Sequence, residues 1–133
     1  MRNGGIALLI HLVMPSPAPI DLTKLRATVS ALTDRLAHGD YDGLCRLAPE
    51  SRIQPADLER AVAEYGRHLI PLPVAAFDAI NVVAIRDSRP QRWSVVVPLW
   101  SREEGRSDLS LELTIEDAPA PAYLVEIDDL HVL

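Results

Sequence analysis

The segment Pro71-Leu72-Pro73 separates two stretches with different hydrophobic periods, and that change restricts the fold more than any other feature of the chain. Upstream, Leu22, Leu25, Val29, Leu32 and Leu36 recur at steps of three and four, the stripe of a helix with one face on a core. Downstream, apolar residues alternate with polar ones, the period of strands that bury one face. Proline removes a helical hydrogen bond and clashes with the preceding turn, so two prolines in three residues close the helical part there.

Three helices are expected before the break. Asp21 is a suitable N-cap for the first, and Gly39 supplies the left-handed residue at which it stops. In GDYDGLCRLAP, Asp40 caps a short helix with Tyr41, Leu44 and Leu47 on one face, closed before Pro49. IQPADLERAVAEYGRHL places Pro55 in a first turn and Leu58, Val62, Tyr65 and Leu69 on one side. Four strands follow. INVVAIR (80–86) reads as a buried strand, and WSVVVPLW (93–100) sends Trp93, Val95, Val97 and Leu99 one way and Val96, Pro98 and Trp100 the other. Pro98 cannot donate to a ladder, which marks an edge or a bulge. SDLSLELTIE points Leu109, Leu111, Leu113 and Ile115 inward, and Tyr123, Val125 and Ile127 continue the scheme. Short polar connections require antiparallel pairing, since parallel strands need long crossovers.

The expected fold is therefore α+β: three N-terminal helices packed on a curved, antiparallel four-stranded sheet, cone-like, with a hollow between the layers where a ligand would bind. With 133 residues, 48% of them hydrophobic, the chain suits one core, set at residues 20–133, preceded by an extension at 1–19. In the extension, Ile6 to Met14 superficially resembles a secretory signal, but His11 interrupts it and Pro19 would follow the cleavage point. Its nine residues are far short of the roughly 20 that span a bilayer. The expectation is a cytoplasmic protein that does not engage a membrane, with the first thirteen residues an upstream extension or an added strand.

Charge narrows the partners. Of 19 acidic and 13 basic residues, 10 acidic and only 5 basic ones lie in 80–133. A single Lys and no basic run exclude the phosphate-neutralising surface that nucleic acid requires. A basic protein partner, a homodimer or a small apolar ligand fits better. The lone Cys45, beside Leu44 and with no Cys–His signature, reads as a small buried thiol.

The element order, and the stretch LAHGDYDGLCRLAPESRIQPADLERAVAEYG in particular, resembles the nuclear-transport-factor-two-like (cystatin-like) superfamily over about residues 20–133. AEYGRHLIPLP, WSVVVPLWSREEGRSDLSLEL and YLVEIDDLHVL also resemble a small bacterial domain family without an assigned activity. The superfamily includes isomerases, dehydratases, carriers and partner-binding subunits, so the resemblance implies the fold and leaves the function open.

Five groups of residues are candidates for function. DDLH at 128–131 puts Asp129 and His131 on one strand face, two ligands and therefore too few for a metal centre. The same residues carry a change of parity: Ile127 and Leu130 both suit the core, although strict alternation would separate them, so a β-bulge is expected at Asp128–Asp129. SREEGRSD at 101–108 reads as a hairpin turning at Gly105, with Glu103, Glu104, Arg106 and Asp108 either a recognition loop or a solvated tip. Glu64 and His68 are an i, i+4 pair. In an enzyme, Tyr65, Asp108 and His131 would line a pocket, with a carboxylate or imidazole as base and the tyrosine hydroxyl on an enolate oxygen. Trp100, on the outer sheet face, is a candidate anchor for a partner. A non-catalytic binding domain acting through the acidic sheet face and hairpin, of immunity or adaptor type, is the leading reading, with no cofactor or metal. A small-molecule pocket enzyme of isomerase or dehydratase type is the alternative.

Overall fold

The computed structural model describes residues 18–133, and the apolar run at 6–14 lies outside them. Helices α1 (Leu22–Ala37), α2 (Tyr41–Leu47) and α3 (Pro55–Tyr65) precede strand β1 (Leu69–Ile70), a 3-10 helix (Val74–Ala79) and strands β2 (Asn81–Ala84), β3 (Arg92–Ser101), β4 (Gly105–Glu116) and β5 (Leu124–Val132). All pairings are antiparallel: β3 lies beside β4 and β4 beside β5, while β1 and β2 both pair with the far side of β3. The sheet is curved and open, as its alternation and short connections require.

The helix ends follow their capping residues. The Asp21 carboxylate accepts from Lys24 N at 3.1 Å, and Gly39 beyond α1 takes φ +72°. At α2 the Asp40 carboxylate accepts from Gly43 N at 2.9 Å and pairs with Arg35 Nη1 at 2.7 Å. These contacts hold its carboxyl below the usual range, the Gly43 amide first and the Arg35 guanidinium second. A Cβ at Gly43 would stand 2.1 Å from Asp40 Oδ2, which explains the GDYDG spelling. Gly43→Ala should therefore expel the cap and cost about 1 kcal/mol in urea unfolding, whereas the reverse exchange, Ala48→Gly, would leave the Asp40–Gly43 cap hydrogen bond in place.

Two expectations for the helices need correction. Gly66 at φ +74° stops α3 after Tyr65, so Leu69 belongs to β1 and His68 forms no helical pair with Glu64. Leu47 is 40% exposed, because the short α2 turns only Leu44 and Gly43 fully inward, and Cys45 is half-buried.

The inner sheet face and the helices share one core. Leu25, Val29, Leu32 and Leu36 of α1, with Leu44 and Leu58, meet Trp93, Val95, Val97, Leu99, Leu109, Leu111, Leu113 and Ile115, all at most 4% exposed. Among the described residues, side chains of both layers thus meet where the hollow was expected. Thr28 and Thr33 enter this core by donating their hydroxyls to the carbonyls one turn back, at 2.7 and 2.9 Å. Thr28 Oγ1 also accepts from Tyr123 N at 2.9 Å, and the Tyr123 hydroxyl accepts from Asp21 N at 2.9 Å, which ties the start of α1 to the start of β5.

Strand β2 is not the buried strand that INVVAIR suggests. It lies at the sheet edge with Val83 56% exposed, because nothing beyond it among the described residues pairs with its outer side. The sheet has a fifth, two-residue strand, β1, that the alternation did not announce. Between Val96, the last partner of β2, and Trp100, the first partner of β1, β3 pairs only with β4. Pro98 occupies that gap, and the register with β4 shifts immediately after it. A proline inside a central strand is accommodated in this way.

Candidate functional site

The two adjacent carboxylates of β5 form the bulge that the parity of the strand requires. Leu113 pairs with Ile127 and Glu112 with Asp129, so Asp128 is the extra residue. Ile127 and Leu130, 1% and 5% exposed, both face the core across it. Val132 does not follow them inward; it is 57% exposed near the strand end.

The bulge also protects an edge. Strand β5 has no neighbour on its outer side among the described residues, and an open edge presents unpaired amides to other chains. Here Ile127 N donates to Ser51 Oγ at 2.7 Å and Leu130 N donates to Asp129 Oδ1 at 2.8 Å. The middle of the edge is therefore occupied.

Opposite the core lies an acidic surface. Cross-strand pairing sets Arg92 beside Glu116, Thr114 beside Glu126, Val96 beside Glu112 and Asp129, and Ser110 beside His131. The Thr114 hydroxyl donates to Asp128 Oδ2 at 2.8 Å. Burial pushes the Asp128 carboxyl up, the Thr114 hydrogen bond opposes this, and the nearby charge of Glu126 adds to the rise. Arg92 Nε reaches Glu116 at 3.9 Å.

His131 has carboxylates at both ring nitrogens: Asp129 Oδ2 lies 2.6 Å from Nδ1 and Glu112 Oε2 lies 2.7 Å from Nε2. A carboxylate only accepts, so the ring donates from Nδ1 to Asp129, while the Glu112 carboxylate stands at ion-pair distance from Nε2. The Asp129 bond raises the His131 pKa first, with the charges of Asp129 and Glu112 adding and burial opposing. The same bond holds Asp129 low. No group of three or more His, Cys, Asp or Glu suited to a metal ion occurs among the described residues.

The hairpin 101–108 turns at Gly105, φ +76°, and its two exposed glutamates bond to the end of α3. Glu104 accepts from the Tyr65 hydroxyl at 2.8 Å and from Ser101 Oγ at 3.0 Å. Glu103 accepts from His68 N at 2.9 Å and lies 2.5 Å from His68 Nδ1. The tip is thus a clamp between helix and sheet. Bonds from the His68 ring and then the His68 amide hold Glu103 at about 2. Its folded pKa lies below the unfolded value near 4.5, so its contribution is present above pH 4.5 and disappears as the pH falls toward 2. Urea midpoints measured from pH 6 to pH 2 should fall less steeply in Glu103→Gln than in the parent protein.

Tyr65 and His131 line one open cleft of about 320 Å³ between α3 and the ends of β4 and β5, with Ala61, Glu64, Leu109 and Leu130. The catalytic roles expected there do not assemble. The Tyr65 proton is committed to Glu104, its oxygen accepts from Asp108 N at 3.1 Å, and Asp108 enters through its backbone. Burial first and the Glu104 carboxylate second push the hydroxyl up. Tyr65→Phe should cost about 0.5–1.5 kcal/mol of stability, the net value of a typical hydrogen bond; a change below about 0.3 kcal/mol would contradict the clamp.

Trp100 is half-buried rather than exposed. It packs against Gly105, where a Cβ would lie 3.5 Å from its ring, and its buried Nε1 has no partner among the described residues. Arg106 lies opposite Trp100 and lines a small depression with Pro98, Ser110 and Leu133. Sequence reasoning missed Glu112, Glu116 and Glu126, although the alternation of SDLSLELTIE already pointed the first two outward. Pairing Glu112 with Asp129 required the register across the bulge. Ser51 gives no local signal, because its role depends on the α2–α3 loop reaching β5.

The fold and this surface define a small α+β domain with a filled core, a clamped hairpin and an acidic outer face. A family model described as a domain of unknown function, DUF7668, matches residues 33–133, and the chain belongs to that family. The match begins inside α1 and includes every residue of the acidic face. No curated protein and no solved structure matches the chain. No helix among the described residues is long and apolar enough to cross a membrane.

Proposed function

We propose that this chain is a non-catalytic binding domain whose protein partner docks on the outer face of the sheet. The supporting observation is the arrangement of that face: Glu112, Glu116, Glu126, Asp128 and Asp129 stand on two adjacent strands with Arg92 and His131 among them and Arg106 farther along the face, beyond Ser110. Exposed Val83 and Leu124, at 56% and 58%, border it on opposite sides and supply the apolar contacts that a polar surface alone lacks.

Charge favours a basic partner over a second copy. In a two-fold dimer the same patch meets itself, so these carboxylates would oppose carboxylates. A basic protein reverses the sign of that term and gains diffusional steering as well. An immunity- or adaptor-type protein that neutralises a basic target is the specific form of the reading. Kinship with the nuclear-transport-factor-two-like superfamily belongs to the same proposal, supported by helices followed by a curved antiparallel sheet. So does a cytoplasmic setting, supported by the interrupted apolar run at 6–14.

A photo-crosslinking residue placed at Ser94, exposed on the outer face, tests the docking surface in living cells. It should join one protein of high isoelectric point, and the product should disappear when Glu112 and Glu126 are both changed to Lys. Equal products from a probe at Glu59 on α3, or persistence in the double variant, would contradict the reading.

A further inference from the structure

The carboxylates of Glu112 and Asp129 stand on either side of an imidazole that belongs to the chain. His131 projects from β5 between them, with its two nitrogens 2.7 and 2.6 Å from their oxygens. The His131 ring is about one-third exposed, so protons reach it, and a guanidinium or ammonium group from outside reaches the same oxygens. We propose that His131 gates the docking face: while its ring is doubly protonated it occupies Glu112 and Asp129, and when the ring gives up a proton the pair accepts a Lys or Arg of the partner. This inference rests on the docking reading above and adds its regulation.

The groups around the ring determine the direction. Glu112 reaches it from β4 and Asp129 from its own strand. From α3, Glu64 and Tyr65 line the same open cleft as His131. Asp128 is held to one side by Thr114. Every nearby charge is negative, so the proton is retained until the pH exceeds the ordinary histidine range. Once neutral, the ring donates at one nitrogen only and leaves one carboxylate without its donor. An incoming cation replaces that donor and disfavours reprotonation. Linkage then makes binding and proton loss reciprocal. The other described histidines, His38 and His68, bond to Asp34 O and to Glu103, away from this face.

A hexa-arginine peptide is a defined probe for the test, with its affinity measured calorimetrically from pH 5.5 to pH 8.5 at fixed ionic strength. The wild-type protein should bind about tenfold more tightly at the upper end, the factor equivalent to a one-unit fall of the His131 pKa on binding. His131→Gln should bind with nearly the same affinity throughout, near the wild-type value at high pH. His131→Lys, which keeps a cation in place, should bind weakly throughout. Circular dichroism and urea midpoints establish that each variant is folded. Wild type and His131→Gln with the same pH profile would overturn the gate while leaving the docking face standing. No binding by any variant at any pH would overturn the docking face and the gate with it.

Discussion

Leu32→Ala lowers the unfolding free energy by about 2–5 kcal/mol, the range for truncating a large aliphatic side chain in a packed core. Leu32 is 1% exposed and lies at the centre of the α1 stripe, between Val29 and Leu36 at 0% and 2%. The helix is held on the sheet through this stripe and through Thr28 and Tyr123, so the surroundings cannot collapse into the space without moving α1. Domains of this size have total stabilities of roughly 5–15 kcal/mol, and the loss is a large share of that. Leu22→Ala is the control. Leu22 belongs to the same sequence stripe but is 65% exposed, and its truncation should change stability by no more than about 0.5 kcal/mol. Urea unfolding of both variants decides the matter, and equal losses would mean that α1 does not pack as described.

Deleting Glu112 abolishes folding, whereas deleting Asp128 does not. Side chains in a strand alternate, so a one-residue deletion reverses every position beyond it relative to the core. Removing Glu112 sends Leu109 and Leu111 outward, or else Leu113 and Ile115, and either pair is now at most 1% exposed. The burial lost is that of two core aliphatic side chains at once, about 4–10 kcal/mol, which is comparable with a typical domain's whole stability of roughly 5–15 kcal/mol. Asp128 is different because it is already the supernumerary residue. Without it, Ile127 and Asp129 become neighbours opposite Leu113 and Glu112, and the ladder closes with Leu130 still inward. The Thr114 hydrogen bond and some local twist are lost, a cost of about 1 kcal/mol. Amide exchange and thermal unfolding of the two deletions distinguish these outcomes. Loss of the fold in both would place the bulge elsewhere.

Much of this organisation is legible in the residues, for identifiable reasons. The caps at Asp21 and Asp40, the left-handed Gly39 and the inward set of β3 and β4 follow from local chemistry, which neighbours in space do not alter. The bulge in β5 was readable because two core residues with two polar residues between them cannot satisfy a period of two. What eluded the sequence depends on contacts across the chain. Gly66 ended α3 early because the segment after it pairs with β3 as β1, a long-range event. Glu103 and Glu104 look like a solvated tip in sequence, and only the arrival of Tyr65 and His68 from α3 turns them into a clamp. Trp100 has the parity of an outer residue, but Gly105 across the hairpin gives its ring a surface to cover. The double contact of His131 needed both the bulge and the β4–β5 register before Glu112 could be assigned to it.

The most direct measurement for the acidic face is an amide chemical-shift titration of the intact protein with the hexa-arginine peptide at pH 8, above the ordinary histidine range. The shifts should concentrate on Thr114, Glu126 and residues 128–131, extend to Ser94 and Glu112, and leave the α1–α2 depression around Asp34 and His38 unchanged. Shifts confined to that depression or to the helix surface, or none at millimolar peptide, would contradict the assignment of the outer sheet face as the binding surface.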